Sequence, residues 1–260
     1  MDSVRDGTAR SRHLDWEGCL NLRDLGGLPT EDGGLTAWGA FVRGDTLCGL
    51  TETGRGALLG YGIRTVIDLR SSEEITREPN PFAALPDVVS YVHQPLNDPA
   101  TESRLSVTAS ATERYLVMVD AAGTAGRLAA VFGSMAGAPP GGVLFHCFAG
   151  RDRTGIVAAL LLRLAGVGTG VIVRDYEATD ERMRARYDTW LQTLDGTARE
   201  RFLESLEQRG HPIRRVIEHV EERYGSVASY LEEHGTPRTD VDRVIDRIRA
   251  AAVSGGGASA

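Results

Sequence analysis

The stretch that decides the fold of this chain is His146-Cys147-Phe148-Ala149-Gly150-Arg151-Asp152-Arg153-Thr154-Gly155. It follows a strand-like run, Gly142 to Phe145, and opens onto a helix-like run, Ile156 to Leu164. In a tight loop at a helix N-terminus, backbone N–H groups point inward and bind phosphate-like oxygens. The sequence therefore predicts a cysteine held in an anion-binding loop between a strand and a helix.

Two residues of the loop carry the predicted chemistry. Cys147 is a candidate nucleophile, because the positive field of such a loop favours the thiolate, which is the reactive form of cysteine. The alternative is a structural cysteine that only fills space. Arg153 can add two parallel hydrogen bonds to phosphate oxygens, and its alternative is a surface ion pair. Together they predict attack on a bound phosphoryl group.

The remaining loop positions are expected to bind the substrate or to support the nucleophile. The backbone from 148 to 151, which comprises Phe148, Ala149, Gly150 and Arg151, is expected to contact the substrate phosphate. The Arg151 side chain is either a second cation that contacts the substrate or a solvated charge. His146 is expected to orient the loop by hydrogen bonding and to favour the thiolate, rather than to act as a base. Thr154 is expected to cap the helix, to hydrogen-bond the sulfur, or both.

Length, charge and cysteine content exclude several classes of protein. At 260 residues the chain fits one α/β domain. Lys and Arg total 29 against 36 Asp and Glu, and the net charge of −7 argues against a nucleic-acid partner, which usually needs a basic face. Three scattered cysteines are too few for a disulfide framework, and no histidine pair has metal-ligand spacing. We therefore expect neither a metal nor another cofactor.

The two ends of the chain predict loose segments around a single domain. Residues 1–13 are polar, without the apolar core of a secretory signal, and no apolar run reaches the ~18 residues of a membrane span. We expect a cytoplasmic protein without stable membrane insertion, which suits a free thiol. The domain is expected over 14–252, followed by a disordered Gly/Ala/Ser-rich tail at 253–260. The sequence leaves the oligomeric state open.

Strand signals come early in the chain and helix signals come late. Strands are predicted at 41–45, 65–70, 89–93 and 142–145, and helices from Thr51 onward and at 113–119, 126–135, 156–164, 180–194, 198–209, 212–224 and 241–248. The polar stretch 96–112 predicts a mobile flap. This order favours a central, mostly parallel sheet flanked by helices on both faces, with a helical C-terminal part.

The loop resembles the signature of the cysteine-dependent protein tyrosine phosphatases, since a histidine precedes Cys147 and five residues separate Cys147 from Arg153. Outlying segments resemble the atypical bacterial members of that family, namely Asn21 to Gly27, Val42 to Leu47, Gly62 to Ser71, Asp175-Tyr176 and Tyr224 to Leu231. The likeness spans roughly residues 17–250. Two positions depart from it: Arg151 stands where the family commonly has Lys, and Thr179-Asp180 stands where it usually has Asn.

The resemblance implies a protein tyrosine phosphatase-like fold and hydrolysis of phosphomonoesters through a cysteinyl-phosphate intermediate. The implied substrates are phosphotyrosine proteins first, phosphoinositides second and phosphoserine/threonine third. The resemblance also implies that Asp152 protonates the leaving group. Asp68, which ends the clearest strand, is the alternative acid, because open parallel sheets place their sites at the carboxyl ends of strands. Asp68 could instead pair with Arg70 or Arg23, and an aspartate of the flap, such as Asp98, is the third candidate.

Two other functions compete with phosphate hydrolysis. A catalytically silent phosphate-recognition module would be favoured by a substitution at Cys147 or Arg153, and both residues are intact. A rhodanese-like sulfurtransferase also presents a thiolate on a backbone cradle. The histidine before Cys147 and the Arg-Thr-Gly after the loop favour the phosphatase over the sulfurtransferase.

Overall fold

A five-stranded sheet lies at the centre of the computed structural model, which describes residues 10–96 and 109–249. Its strands are β1 (Arg23–Asp24), β2 (Phe41–Gly44), β3 (Ile63–Asp68), β4 (Ser90–His93) and β5 (Gly142–His146). They lie in the order β1-β2-β5-β3-β4. Only the short strand β1 runs antiparallel to its neighbour; the other three pairings are parallel. The predicted mostly parallel sheet is therefore confirmed.

Helices surround the sheet and form most of the second half of the described chain. They span Glu52–Gly60, Ser72–Arg77, Ala111–Asp120, Ala122–Gly137, Asp152–Leu164, Thr169–Leu191, Gly196–Glu207, His211–Tyr224, Val227–Glu233 and Arg238–Ile248. Thr51 caps the first of them through its side chain, as its sequence predicts. The mixed α/β class predicted from the order of elements is confirmed.

The core lies on both faces of the sheet, because successive strand residues point to opposite sides. In β5, Val143 and Phe145 belong to a larger cluster that includes the helices Ala122–Gly137 and Asp152–Leu164. Leu144 belongs to a smaller cluster on the other face, together with Leu58 of the helix Glu52–Gly60. All three β5 side chains are fully buried. This double burial explains the uninterrupted apolar run that precedes the loop.

The parallel register brings three strand ends to one edge of the sheet. Gly44 of β2 and Asp68 of β3 both lie level with His146 of β5. The loop 147–151 leaves the sheet at this edge, between β5 and the helix that begins at Asp152. Parallel sheets place functional sites at the carboxyl ends of their strands, and the fold therefore sets the predicted anion-binding loop in such a position.

The structure extends the predicted elements in several places. The helix predicted from Ile156 begins at Asp152, and the one predicted from Asp180 begins at Thr169. The helices Ser72–Arg77 and Val227–Glu233 were not predicted from the sequence. Residues 10–13 of the predicted loose start lie against the domain, since His13 forms a bridge with Arg23.

Several predictions fall beyond the part of the chain that the structure describes. Residues 1–9, the predicted tail 253–260 and most of the predicted flap, 97–108, lie outside the described residues. Asp98, the third candidate acid, is among them.

Candidate active site

Cys147 lies at the floor of a pocket of about 610 Å³. Cys147 is only 2% exposed, yet it lines the pocket together with Arg153 and Asp152. Of the four predicted substrate-binding positions, Phe148, Ala149 and Arg151 also line the pocket, whereas Gly150 does not. The sulfur is therefore deep but is not sealed in the apolar core.

Gly150 gives the loop its tight turn. Its φ of +70° is left-handed, and a Cβ there would lie 2.6 Å from the carbonyl oxygen of Gly44 and 2.7 Å from the side-chain nitrogen of Asn21. Among the residues that the structure describes, no backbone N–H from 148 to 151 donates to a protein group. No side chain caps the helix Asp152–Leu164 either. These N–H groups are available to an oxyanion.

Arg153 is held by a carboxylate that the sequence analysis missed. Its Nη1 lies 2.5 Å from Oε2 of Glu74 and its Nη2 lies 2.8 Å from Oε1, which is a bidentate pair. Burial acts to lower the pKa of Arg153, but the hydrogen bonds to Glu74 and the neighbouring Cys147 raise it overall. Ser71 and Glu74 also form a capping box, and the Ser-x-x-Glu pattern could have revealed that helix.

His146 is fully buried and takes part in a chain of hydrogen bonds behind the loop. The Asn80 amide lies 2.9 Å from its Nε2, and its Nδ1 lies 3.1 Å from the carbonyl oxygen of Cys147. Because Phe82 donates its N–H to Asn80 Oδ1, the Asn80 nitrogen faces His146 as a donor, and His146 Nδ1 carries the proton. Burial lowers the pKa of His146, so it orients the loop as a neutral ring.

Asp68 is buried in an ion pair and does not line the pocket. Its Oδ2 lies 2.7 Å from Nη2 of Arg70, and Asn80 and Tyr91 donate to the same oxygen. Burial acts to raise the pKa of Asp68, but the charge and the hydrogen bonds of Arg70 lower it well below the usual range. This environment favours the structural alternative, in which Asp68 pairs with Arg70, and disfavours Asp68 as a proton donor.

Asp152 stands at the first helical position and faces the same pocket as Cys147. Its side chain is 52% exposed, and its Oδ1 accepts a hydrogen bond from the hydroxyl of Tyr115. The Tyr115 hydroxyl lies 2.8 Å from that of Tyr176, which fixes the pair of phenols beside the carboxylate. Asp152 therefore combines access to solvent with a restrained position, and Tyr115 is a residue that the sequence analysis missed.

Arg151 is not the solvated charge that was one of the two predictions for its side chain; the other, a cation that contacts the substrate, stays a prediction, since Arg151 lines the pocket. It is buried, because its Nε donates to Asp180 at 2.8 Å and its Nη2 donates to the carbonyl oxygen of Ser205 at 2.8 Å. Its guanidinium also lies 5.4 Å from the ring centre of Tyr176. Arg151 thus joins the loop to the helices Thr169–Leu191 and Gly196–Glu207. Arg151 and Asp180, which both stand at positions where the sequence departs from the family pattern, form an ion pair with each other.

Thr154 is fully buried in the first turn of its helix. The helix begins at Asp152, so Thr154 lies inside it and is not its cap, contrary to one of its two predicted roles. In the described part of the chain, its Oγ1 has no hydrogen-bond partner. The other predicted role, a hydrogen bond to the Cys147 sulfur, is therefore not formed in the described structure, and the unsatisfied hydroxyl is left to a bound group.

A polar network supports the loop from behind. The side chain of Asn21 donates to the carbonyl oxygen of Ala149 at 3.0 Å, and Arg43 donates to that of Gly150 at 2.7 Å. Arg43 also donates to Asp175 Oδ2 at 2.7 Å. The loop carbonyls are thereby turned inward to the protein, which leaves the N–H side of the loop facing the pocket.

Aromatic and apolar side chains form the walls of the pocket. They are Leu96, Ala111, Met118, Phe148, Tyr187, Trp190, Leu194, Ala198 and Phe202. Trp190 packs edge-on against Phe202 with 4.9 Å between ring centres. Arg114 and Arg201 also line the pocket, and within residues 10–96 and 109–249 neither has a carboxylate partner. The pocket is thus an apolar cleft with cations at its floor and sides.

In the described part of the chain, no individual helix has both the length and the apolar composition of a membrane span. The helices Ala111–Asp120 and Ala122–Gly137 meet that criterion only as a pair bent by 74°.

Comparison with known proteins adds information on ancestry. A family model described as "Tyrosine phosphatase family" matches residues 14–250. A tyrosine-protein phosphatase from Nostoc commune is 30% identical over 222 residues, which cover 80% of this chain and 74% of that protein. The triple specificity protein phosphatase PtpB from Mycobacterium tuberculosis is 29% identical over 269 residues, which cover 87% of this chain and 95% of that protein.

Proposed function

Because the chain belongs to the tyrosine phosphatase family, we propose that it hydrolyses phosphotyrosine in proteins through a cysteinyl-phosphate intermediate. One observation carries this proposal: Cys147 lines a pocket of about 610 Å³ beside Arg153 and is only 2% exposed, so its sulfur lies at the floor of that pocket. A long, rigid phosphotyrosine side chain reaches such a floor better than the shorter phosphoserine and phosphothreonine do. The aromatic walls of the pocket suit a phenyl ring.

In the first step, the Cys147 thiolate attacks the phosphorus atom and the bond to the tyrosine oxygen breaks. Arg153 and the free N–H groups of residues 148–151 bind the three phosphate oxygens and stabilise the charge that develops on them. Asp152, in its protonated form, gives its proton to the leaving phenolate. Its place in the pocket supports this role, whereas the ion pair of Asp68 argues against that residue.

In the second step, the Asp152 carboxylate takes a proton from a water molecule, and that water attacks the phosphorus atom of the cysteinyl-phosphate. The phosphorus–sulfur bond breaks and inorganic phosphate leaves. The unpartnered hydroxyl of Thr154 donates to the departing sulfur, which makes Cys147 a better leaving group. His146 keeps the loop in place through the carbonyl of Cys147.

Phosphoinositides are the second candidate substrate class. Arg114 and Arg201 line the pocket and, among the described residues, have no carboxylate partner, so they are available to further phosphate groups. The pairing of Arg151 with Asp180 acts in the opposite direction, because it withdraws one cation from the substrate. This balance supports phosphotyrosine ahead of phosphoinositides.

The test is a comparison of wild type with Cys147→Ser on phosphotyrosine peptides, phosphoserine peptides and soluble phosphoinositides. We expect the highest kcat/KM for phosphotyrosine peptides, no turnover by the variant, and retained binding of phosphotyrosine peptide to the variant. Vanadate should inhibit the wild type by occupying the loop. Undiminished hydrolysis by Cys147→Ser would refute the mechanism, and thiosulfate–cyanide activity without phosphatase activity would favour sulfur transfer.

A further inference from the structure

A second cleft, of about 230 Å³, opens on the far side of the network that supports the loop. Its polar lining consists of Arg12, His13, Arg23, Arg174 and Asp175. It shares no lining residue with the pocket above Cys147. The cleft is therefore a separate feature of the surface, and the proposed catalytic steps make no use of it.

The lining of this cleft carries more positive than negative charge. Arg12, Arg23 and Arg174 line it against the single carboxylate of Asp175. That carboxylate is already shared, because Arg12, Arg23 and Arg43 all lie within ion-pair distance of it. Arg174 is exposed at the cleft and, in the described chain, has no carboxylate partner. One carboxylate cannot neutralise this group of arginines.

Two buried nitrogen atoms of the lining residues also lack a hydrogen bond. Nε of Arg23 and Nδ1 of His13 are buried and, within the described residues, form no hydrogen bond. The Arg23 side chain is 1% exposed, so water does not compensate it. The Arg23 Nε lies 3.5 Å from Oδ1 of Asp175, an ion-pair contact without hydrogen-bond geometry, and an acceptor placed in the cleft would supply the missing hydrogen bond.

The pKa values of the lining residues support the same picture of a positive field. Burial, together with the nearby Arg43 and Arg12, lowers the pKa of Arg23 to about 10 against the opposing effect of Asp175. Burial also lowers the pKa of His13, with contributions from Arg182, Arg23 and Arg12. An additional negative charge in the cleft would favour the protonated form of both residues.

We propose that this cleft binds a small phosphate-like oxyanion, either inorganic phosphate or the phosphate group of a small monoester. Its volume lies below the roughly 300–1,000 Å³ of pockets that enclose drug-sized ligands, which favours a small ion. Arginine matches the geometry of phosphate oxygens, and three arginines line the cleft. A carboxylate ligand would supply fewer acceptor oxygens and less charge.

An anion bound in the cleft would affect the catalytic loop, because the same hydrogen-bonded network contacts both sites. Arg23 donates to Asn21, which in turn holds the carbonyl of Ala149. Asp175 pairs with Arg43, which holds the carbonyl of Gly150. An anion in the cleft would compete with Asp175 for Arg12 and Arg23.

The test is a phosphate titration of the full chain at constant ionic strength, followed by NMR of the backbone amides. We expect saturable shifts at residues 12–13 and 171–178 as well as in the loop 147–155. Arg174→Ala should weaken binding at the cleft about tenfold, because one charged contact is lost, and should change the affinity of the loop much less, since Arg174 does not contact the loop network. Arg184→Ala is the matched control, since Arg184 is an exposed arginine of the same helix that does not line the cleft.

The outcomes separate the proposal from its alternatives. Absence of saturable shifts at the cleft, or equal affinities in Arg174→Ala and Arg184→Ala, would overturn it. A parallel titration with glycerol phosphate identifies the source of the anion. Tighter binding of the ester supports an organic phosphate as the ligand, and tighter binding of inorganic phosphate supports the free ion.

Discussion

Arg153 and Glu74 form a bidentate ion pair, with N–O distances of 2.5 and 2.8 Å, although 79 residues separate them in the sequence. The pair joins the anion-binding loop to the helix Ser72–Arg77, which follows β3. It fixes the plane of the guanidinium, and with it the direction in which two N–H groups face a bound phosphate.

Glu74→Gln should lower kcat/KM for phosphotyrosine peptides about 10- to 100-fold, because Arg153 loses the charge that orients it. Glutamine preserves the capping box of the helix, so the fold should persist. Steady-state kinetics and a thermal melt check both points. Glu73→Gln is the control, since Glu73 is exposed and pairs with Arg77 on the surface. Equal kinetics in the two variants would show that the pair is not needed for positioning.

Asp152→Asn should slow hydrolysis of esters with poor leaving groups about 100-fold or more, and should affect p-nitrophenyl phosphate much less, because a good leaving group needs no proton. A plot of rate against the acidity of the leaving group measures this. An equal decrease in the rate of hydrolysis of both kinds of ester would contradict the role of Asp152 as the general acid.

Asp68→Asn should act through stability instead of proton transfer. The substitution leaves the buried Arg70 without its carboxylate, which costs about 3–5 kcal/mol of the free energy of unfolding. Any loss of activity should therefore be the same for good and poor leaving groups. A selective loss on poor leaving groups would assign the acid to Asp68.

Asp180→Asn should shift the substrate preference toward phosphoinositides. Without its carboxylate partner, Arg151 is free to turn toward a second phosphate, and a gain of ~1 kcal/mol corresponds to about fivefold in relative kcat/KM. The measurement is the ratio of kcat/KM for soluble phosphoinositides to that for phosphotyrosine peptides. Asp188→Asn, an exposed position of the same helix, is the control. An unchanged ratio would mean that Arg151 stays bound to Ser205.

Because of Asp175, the free energy of unfolding should decrease as the pH is lowered. Burial acts to raise the pKa of Asp175, but Arg23, Arg43 and Arg12 lower it overall from 3.8. The folded state therefore binds this proton less readily than the unfolded state does. The stabilisation by the Asp175 carboxylate is complete above the pKa that Asp175 has in the unfolded state. It is lost as the pH falls from about 4 through the lower pKa that Asp175 has in the folded state.

The measurement is the free energy of unfolding between pH 7 and pH 2, in wild type and in Asp175→Asn. We expect the variant to be destabilised by about 3–5 kcal/mol at pH 7 and to converge with wild type in acid. Asp246→Asn, an exposed substitution in the helix Arg238–Ile248, should match wild type throughout. A constant difference between wild type and Asp175→Asn across this range would contradict the linkage.

Local sequence patterns were sufficient to predict the strand, loop and helix around Cys147. The buried strand Gly142–His146 is apolar because both of its faces are covered, and the turn needs the glycine at 150. The order of strand and helix signals was enough for the α/β class. These features depend on neighbouring residues and on backbone conformation, both of which a single sequence records.

The partners of the loop residues could not be predicted, because they depend on contacts between distant segments. An arginine in a loop is expected to be exposed to solvent. Arg151 is buried because the helix Gly196–Glu207 packs over it and places Ser205 against its guanidinium. The pairing of Glu74 with Arg153 likewise follows from the order of the strands. The start of the long helix at Thr169 could not be predicted because Gly168 and Gly170 flank it and residues 171–173 are β-branched, and both residue types disfavour a helix.

The floor and the walls of the pocket come from separate parts of the chain. The reactive decapeptide contributes the floor and the ring of Phe148, whereas Trp190 and Phe202 belong to later helices; Trp190 packs against Phe148, and Phe202 packs against Trp190. Bond-breaking chemistry and ligand selectivity can therefore be altered one at a time. An inhibitor that fills the aromatic side of the cleft could discriminate between phosphatases that share the same reactive loop.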